Sequence, residues 1–449
     1  MIATVPSDPP SSTPSRLSTP KMTPRILLSA ASERTATPAI SALMQMALAQ
    51  PDLISLAAGF VDQGSLPIGA TARAVTELDA RAAEGKRALQ YGTTAGDIAL
   101  RKRLLDLLEG NEKAASGEFA HLIPRTIVAT GSQQLLYLVC EALLDPGDIV
   151  LVESPTYFVF LGVLESRGAR VIGIETDDRG LRLDSLEAAL SALKEEGQLH
   201  RVKLIYTVSE HSNPSGISLA AERRGPLVEL ARRWSDESHR IFVLEDAAYR
   251  GLTFDGDEPP SVWRHDPDGE TVILARTFSK TFSPGLKTGY GILPESLVDA
   301  VLRLKGNHDF GSANVNQVIL ERLIADGSYG DHVERLVGLY RRKRDVMLDA
   351  LGEHLGPFEG VSWTHPRGGL YVWLTLPEGL DSALGGPLFQ RSVSEGVLYV
   401  PGSYAYAEEP GPVPRNHARL CFGVAGEDDL KEGIRRLSVA LAGCLDPVV

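Results

Sequence analysis

"TVILARTFSKTFSPGLKTGYG" runs from Thr271 to Gly291, and its reading decides the fold. The first five residues, TVILA (271–275), form an apolar run without polar alternation, as suits a strand covered on both faces. Hydroxyls, glycines and two lysines, Lys280 and Lys287, come directly after it. Solvated charges have no reason to gather at the end of a buried strand. In an open α/β sheet, however, ligands bind outside the carboxyl ends of the strands. Chemistry is therefore expected in the residues just past each such run.

Five further runs have the same character: TIVAT (126–130), DIVLV (148–152), RVIGI (170–174), VKLIYT (202–207) and RIFVLED (240–246). Helical patterns lie between them. In SQQLLYLVCEALLDPGD (132–148), Ser132 is the expected N-cap and Pro146-Gly147 the stop. This order predicts an α/β domain with a mostly parallel sheet. Beyond about residue 330 come a charged helix (331–351), GGLYVWLTL (368–376), GVLYVPG (396–402) and a last helix near 427–443, which read as a smaller α+β domain. Residues 1–24 are too rich in Pro, Ser and Thr to form an apolar face and predict a disordered extension. The expected division is 1–24 extension, 25–70 N-terminal arm with part of the small domain, 71–330 large domain and 331–449 C-terminal small domain.

Composition narrows the function classes. The 449 residues carry a formal charge of -13, a field that opposes nucleic acid and anionic membranes as partners. An anion, if bound, has to be held locally. Three cysteines, Cys140, Cys421 and Cys444, are too few and scattered for a disulfide framework, and no Cys/His cluster suggests zinc, so no metal is expected. No apolar run is long enough for a membrane span, and a cytoplasmic location is expected.

Four strand ends run into polar chemistry. After TIVAT, Gly131, Ser132 and Gln133 open a helix whose free N–H groups suit an anion, although Gly-Ser is also an ordinary strand-to-helix turn. Thr277, Ser279 and Lys287 supply further phosphate donors. Asp246 ends an apolar strand where an unpaired carboxylate is costly, so it is expected in a buried salt bridge to Arg250, as a helix cap, or as the partner of a protonated ring nitrogen. Asn213 in SNPSG is by default a turn residue, and Tyr249 a core residue. Lys280, in a hydroxyl-lined apolar setting beside another cation, has the lowered amine pKa of a nucleophile toward carbonyls. A nucleophilic lysine, phosphate donors and a carboxylate for a ring nitrogen together match the needs of pyridoxal 5'-phosphate (PLP).

At these residues the chain resembles the class I/II aminotransferases of fold type I. TFSKTFSPGLKTGYG (277–291) is similar to the family's lysine motif. QYGTTAG (90–96), ATGSQQ (129–134), ESPTY (153–157), SNPSG (212–216), EDAAY (245–249), PRGGLYVW (366–373) and NHARLCF (416–422) keep the family's order. The resemblance implies a fold-type I PLP-dependent transferase, with a large domain around a mostly parallel seven-stranded sheet and a smaller α+β domain. It implies exchange of an α-amino group between an L-amino acid and a 2-oxo acid in a homodimer with shared sites.

Residue by residue, it implies that Lys280 forms the Schiff base and carries the proton, and that Asp246 keeps the pyridine nitrogen protonated. Asn213 and Tyr249 would contact the ring O3', Tyr157 would stack on the ring, and Gly131, Ser132, Gln133, Thr277, Ser279 and Lys287 would hold the phosphate. Tyr91 would reach the neighbouring subunit's phosphate. Arg419 would clamp the α-carboxylate, and the Gly59 backbone would approach it.

The pattern departs from the family in five places. Lys287 stands where Arg is usual, Ser209 and Val61 replace common prolines, and the stretches SEHSNPSG (209–216) and KGNHDFGSANVNQ (305–317) are unusually polar. The last two are either ordinary loops or the substrate side-chain pocket, with His211 or His308 as an extra acid or base that would redirect the same cofactor toward elimination, side-chain replacement, decarboxylation or oxidation. A transcriptional regulator is disfavoured by the negative charge, and a dinucleotide-binding dehydrogenase by the lack of a GxGxxG after a strand.

Overall fold

The computed structural model describes residues 26–50 and 52–445; the extension expected over 1–24 lies outside the described residues. All six apolar runs form strands of one sheet. In chain order its strands are β1 (Thr126–Ala129), β2 (Ile149–Ser154), β3 (Arg170–Asp177), β4 (Gly180–Leu181), β5 (Val202–Thr207), β6 (Phe242–Asp246), β7 (Val272–Thr277) and β8 (Gly289–Ile292). The sheet order is β1-β8-β7-β6-β5-β2-β3-β4. Strands β3, β2, β5, β6 and β7 pair in parallel; β8 is antiparallel to both neighbours, and the two-residue β4 is a hairpin return on the edge of β3. The expected seven-stranded sheet thus carries an eighth, very short strand. Strand β8, "GYGI", escapes the apolar pattern because two of its four residues are glycine.

Covering on both faces explains the lack of polar alternation. Ile127, Val150, Val152, Leu204, Leu244 and Ile273 pack into one apolar core, and Val128, Ile149, Leu151, Ile205, Val243 and Val272 into a second on the opposite face. Because neighbouring residues of each strand feed different cores, both parities must be apolar.

The helix after β1 begins earlier than expected. Its N-cap is Thr130, and Gly131 is its first residue at φ 72°. That left-handed backbone suits glycine and makes the sharp entry, so Ser132 lies inside the first turn and is not the cap.

The 27-residue helix Ser328–His354 leads to a second sheet of four strands in the order Ser362–Trp363, Tyr371–Thr375, His417–Cys421, Val400–Pro401, all antiparallel. The final helix Glu427–Leu445 packs on Ser328–His354. The N-terminal strand Ile54–Ser55 pairs with Val397–Leu398. This pairing brings the segment around Gly59 beside the end of the strand His417–Cys421.

Candidate active site

The carboxyl ends of β1, β2, β5, β6 and β7 open into one cavity. Its walls include Gly131, Ser132 and Gln133, then Tyr157, Asn213, Asp246 and Tyr249, and finally Thr277, Ser279, Lys280 and Lys287. All of these were singled out in the sequence, and the fold brings them to a single site.

One end suits an anion. The helix Gly131–Leu143 points its N-terminus into the cavity, where unpaired N–H groups and the positive end of the dipole favour negative charge. Opposite, the Thr277 hydroxyl donates to Ser279 Oγ at 3.0 Å and accepts from the Ser279 N–H at 3.2 Å, which fixes both hydroxyls at the wall. Lys287 caps a short 3-10 turn with φ 49°, a left-handed conformation uncommon for a residue with a side chain. Gly289 makes this end compact, because a Cβ there would stand 2.7 Å from both the Gly131 carbonyl carbon and the Ser132 nitrogen. Only a glycine lets β8 pass so close to the helix entry.

The other end suits a protonated ring nitrogen. Asp246 is 3% exposed; its Oδ2 accepts a 2.9 Å hydrogen bond from Tyr206, while Oδ1 has no protein partner. Burial pushes its carboxyl up to about 6, against the Tyr206 hydroxyl and the Ala248 N–H, which favour the charged form. The alternative pairing with Arg250 does not occur. Arg250 is taken by Glu210 at 2.6 Å and Glu112 at 3.0 Å, in a buried cluster that Arg224 joins at 2.8 Å from Glu210. Asp246 is thus left with an unmet acceptor facing a cavity.

Between the two ends, Asn213 and Tyr249 leave their default roles. Asn213 Nδ2 donates to the Tyr249 hydroxyl at 3.3 Å, and its Oδ1 accepts from Arg419 Nη1 at 2.8 Å. The Tyr249 hydroxyl donates to that of Tyr371 at 3.1 Å, with the two rings edge to face at 5.6 Å.

Lys280 and Arg419 meet the segment before residue 60. Lys280 Nζ donates to the Gly59 carbonyl at 2.6 Å, and Arg419 Nη2 donates to the Ala57 carbonyl at 2.7 Å. Burial lowers the Lys280 amine to about 8; the Arg419 and Lys287 charges add to this, and Cys421 opposes it. The Arg419 guanidinium lies 4.4 Å from the Tyr371 ring centre and 5.3 Å from that of Phe158, and its Nε is buried without a partner. An added Cβ at Gly59 would lie 2.7 Å from the Tyr371 hydroxyl, so the backbone there reaches the site because no side chain intervenes. The arrangement offers a readily neutralised amine, a planar cation for a carboxylate, and a buried acid some way apart.

Three singled-out residues stand elsewhere. Tyr91 is 83% exposed and packs edge-on against Phe310 on the surface. His211 is sealed behind the site: its Nε2 lies 2.7 Å from Thr253 Oγ1, and Gly368 and Gly369 are so close that a Cβ on either would collide with it. Burial lowers its imidazole to about 4, so it stays uncharged near neutral pH. The expectation of an extra acid or base at His211 is therefore corrected. His308 accepts from Gln134 Nε2 at 3.0 Å, while Gln134 Oε1 accepts from the Thr130 N–H and its amide also donates to Asp309. The polar stretch 305–317 braces the helix entry, and His308 does not line the cavity.

Sequence reasoning passed over Tyr206 and Tyr371. Tyr206 looked like one more apolar residue of VKLIYT. A hydroxyl near the carboxyl end of an otherwise apolar run was the available signal. Among the described residues, no group of His, Cys, Asp and Glu is arranged to hold a metal, and no helix is long and apolar enough to cross a membrane.

Comparison with known proteins agrees with this geometry. The family model "Aminotransferase class I and II" matches residues 51–437. The chain is 32% identical over 388 residues to aromatic-amino-acid aminotransferase 1 of Thermococcus litoralis, covering 86% of this chain and 87% of that one. It is 31% identical over 399 residues to the 2-aminoadipate transaminase of Thermus thermophilus, covering 88% and 92%. Among solved structures, the kynurenine aminotransferase of Pyrococcus horikoshii, crystallised in complex with PMP, superposes with a TM-score of 0.84 at 31% identity over 93% of this chain and 98% of that one. Matched over nearly its whole described length, the chain belongs to the class I and II aminotransferases, PLP-dependent enzymes of fold type I.

Proposed function

We propose that this aminotransferase holds PLP in the cavity described and exchanges the α-amino group of an L-amino acid with a 2-oxo acid, using the residues assembled there. The observation that carries the reading is the buried, unpartnered Asp246 Oδ1 in the same cavity as a lysine whose amine is lowered to about 8. A carboxylate with one oxygen tied down and the other free suits a pyridinium N–H. The helix entry at Gly131 to Gln133, with Thr277, Ser279 and Lys287, suits a phosphate.

The cofactor supplies a carbonyl carbon for the amine and an electron-accepting ring. The chain's residues do the rest. Asp246 would keep the ring nitrogen protonated, and Asn213 and Tyr249 would offer hydrogen bonds to the ring hydroxyl. Tyr157, half-buried at the cavity wall, would cover a ring face. Arg419 grips the substrate α-carboxylate beside the Gly59 backbone, for which its unpaired Nε is available. Lys280, as a neutral amine, would take the proton from the substrate Cα and hold it for return. Holding the carboxylate and the base around one carbon converts an intermolecular proton transfer into a local one.

The relatives' names span aromatic, aminoadipate and kynurenine substrates, and all share the α-amino and α-carboxylate groups that these residues recognise. The polar features that raised other reactions, His211 and the 305–317 stretch, lie outside the cavity.

A homodimer is supported by exposed apolar side chains on neighbouring elements. Ile68, Leu89, Tyr91 and Phe310 are all well exposed, on or just after the helices Ile68–Ala80 and Ala82–Leu89 and in the turn before Asn314–Ala325, and these helices pack on one another. Tyr91 projects from that surface, as a residue serving the partner's phosphate would. The pairing of Ile54–Ser55 with Val397–Leu398 supports grouping 25–70 with 331–449 apart from 71–330. Three free cysteines, two of them buried, support a cytoplasmic location.

The test is single-turnover absorbance of the PLP-loaded protein against a panel of amino acids with no oxo acid present. Conversion of the Schiff-base band to the pyridoxamine band, reversed by a 2-oxo acid, establishes the exchange and names the donor. Release of ammonia, carbon dioxide or peroxide with return of the starting band would refute it.

A further inference from the structure

We infer that Tyr206 is a positioning residue for the ring nitrogen of the cofactor: its hydroxyl ties down Asp246 Oδ2, leaves Oδ1 for the ring, and favours the carboxylate over the carboxylic acid. This role presupposes that Asp246 meets the ring nitrogen, as proposed above.

The geometry leaves Tyr206 little other purpose. It is fully buried near the end of β5, and its ring stacks on Phe160 with centroids 4.0 Å apart and planes 27° from parallel. A ring held in this way has one orientation for its hydroxyl, and that hydroxyl has the Asp246 bond at 2.9 Å. Strand register enforces the meeting. Tyr206 pairs with Leu244, so Tyr206, Leu244 and Asp246 share a sheet face, whereas Thr207 and Glu245 turn to the other.

The surroundings make the hydrogen bond consequential. The titratable groups close enough to Asp246 to interact with it are Tyr206 from β5, which bonds to it, Tyr157 from the start of the helix after β2, and, across the sheet, Glu153 from the end of β2, with the Ala248 N–H from its own loop. None of these is a cation. Glu153 is occupied on the other face by the Thr207 hydroxyl and the Val208 N–H, and burial pushes it up to about 7. Burial raises both tyrosines, so they remain neutral donors. With no protein cation beside it, Asp246 relies on donors to stay ionised until the ring arrives, and Tyr206 is the side-chain donor it has.

The test measures the PLP dissociation constant, by absorbance or fluorescence titration of the cofactor-free protein, for the natural chain, Tyr206→Phe and Asp246→Asn at pH 6 and pH 8.5. Phe keeps the stack on Phe160. Losing a hydrogen bond to a charged acceptor raises the Asp246 pKa by roughly one pH unit or more. Tyr206→Phe should therefore bind PLP about tenfold more weakly at pH 6 and within about twofold of the natural protein at pH 8.5, where the carboxylate ionises without help. A second reading, denaturant unfolding of the cofactor-free proteins, should show Tyr206→Phe less stable at pH 8.5 than at pH 4 relative to the natural protein. An equal loss of affinity at both pH values, or none at either, would overturn the role of Tyr206. If Asp246→Asn also binds PLP normally at both, the assignment of Asp246 to the ring nitrogen falls and this inference with it.

Discussion

Replacing Asp246 with Asn should make the cofactor-free protein more stable at neutral pH while crippling the enzyme. In the fold the carboxyl titrates at about 6 against an ordinary 3.8, because burial disfavours its charge. The folded-state value is raised, so the acid contributes nothing unfavourable below about pH 4, where it is protonated in both states. As pH rises through 6 the folded protein has to ionise a group that the unfolded chain ionises readily. That gap of roughly two pH units, at about 1.4 kcal/mol each, amounts to about 3 kcal/mol of lost stability above pH 6. Asn cannot ionise and still accepts from Tyr206. Its amide, standing where Oδ1 is, lacks an acceptor, which offsets about 1 kcal/mol of the gain.

Denaturant unfolding of the two cofactor-free proteins should thus show the Asn variant ahead by about 2 kcal/mol at pH 7.5 and level or behind at pH 4. Loaded with PLP, the same variant should turn over about a hundredfold more slowly or worse, since an uncharged ring nitrogen accepts electrons poorly. A stability difference that is independent of pH, or an Asn variant less stable at pH 7.5, would refute the reasoning that Asp246 is a desolvated carboxylate waiting for a cation.

Other outcomes rest on the same geometry. With Lys280 lowered to about 8, the rate at which the cofactor-free protein forms its Schiff base with PLP should climb about tenfold per pH unit up to about 8 and level off above 9, because only the neutral amine attacks; absorbance mixing experiments read this directly, and a midpoint above 10 would contradict the burial argument. Arg419→Lys should lower kcat/KM for amino acids about 10- to 100-fold, mainly through KM, as a point charge replaces a planar fork and Asn213 Oδ1 loses its donor; unchanged steady-state kinetics would remove Arg419 from the carboxylate site. Gly289→Ala should cost about 1 to 3 kcal/mol in unfolding measurements and weaken PLP binding, since its Cβ would press on the helix entry 2.7 Å away; a neutral effect on both would mean that β8 and the helix separate freely.

Much of this protein is legible in one dimension because the relevant signals are local. A strand covered on both faces has to be apolar at both parities, so TIVAT, DIVLV, RVIGI, VKLIYT, RIFVLED and TVILA announce themselves, and parallel strands place their succeeding residues at one edge. Lys280, Asp246, Thr277 and Ser279 could therefore be nominated together from the strand ends, whereas Asn213 reads there as a turn residue and enters only through the family resemblance. Two-glycine β8 carried no such pattern, and Gly131 took the helix entry that its neighbour Ser132 seemed suited to cap.

The choice of partners belonged to the tertiary structure. Arg250 is four residues from Asp246, yet it pairs with Glu210 and Glu112, because the turn after β6 carries it away from the cavity into the cluster with Arg224. His211 sits two residues from Asn213 and never reaches the site, since Gly368 and Gly369 close over it. Tyr206 and Asp246, 40 residues apart, meet because adjacent parallel strands set their register. Composition and spacing declare which chemical groups are present near a strand end. Which of them touch, and which oxygen is left unpaired, depends on sheet order and loop direction, which are summed over contacts distant in the chain.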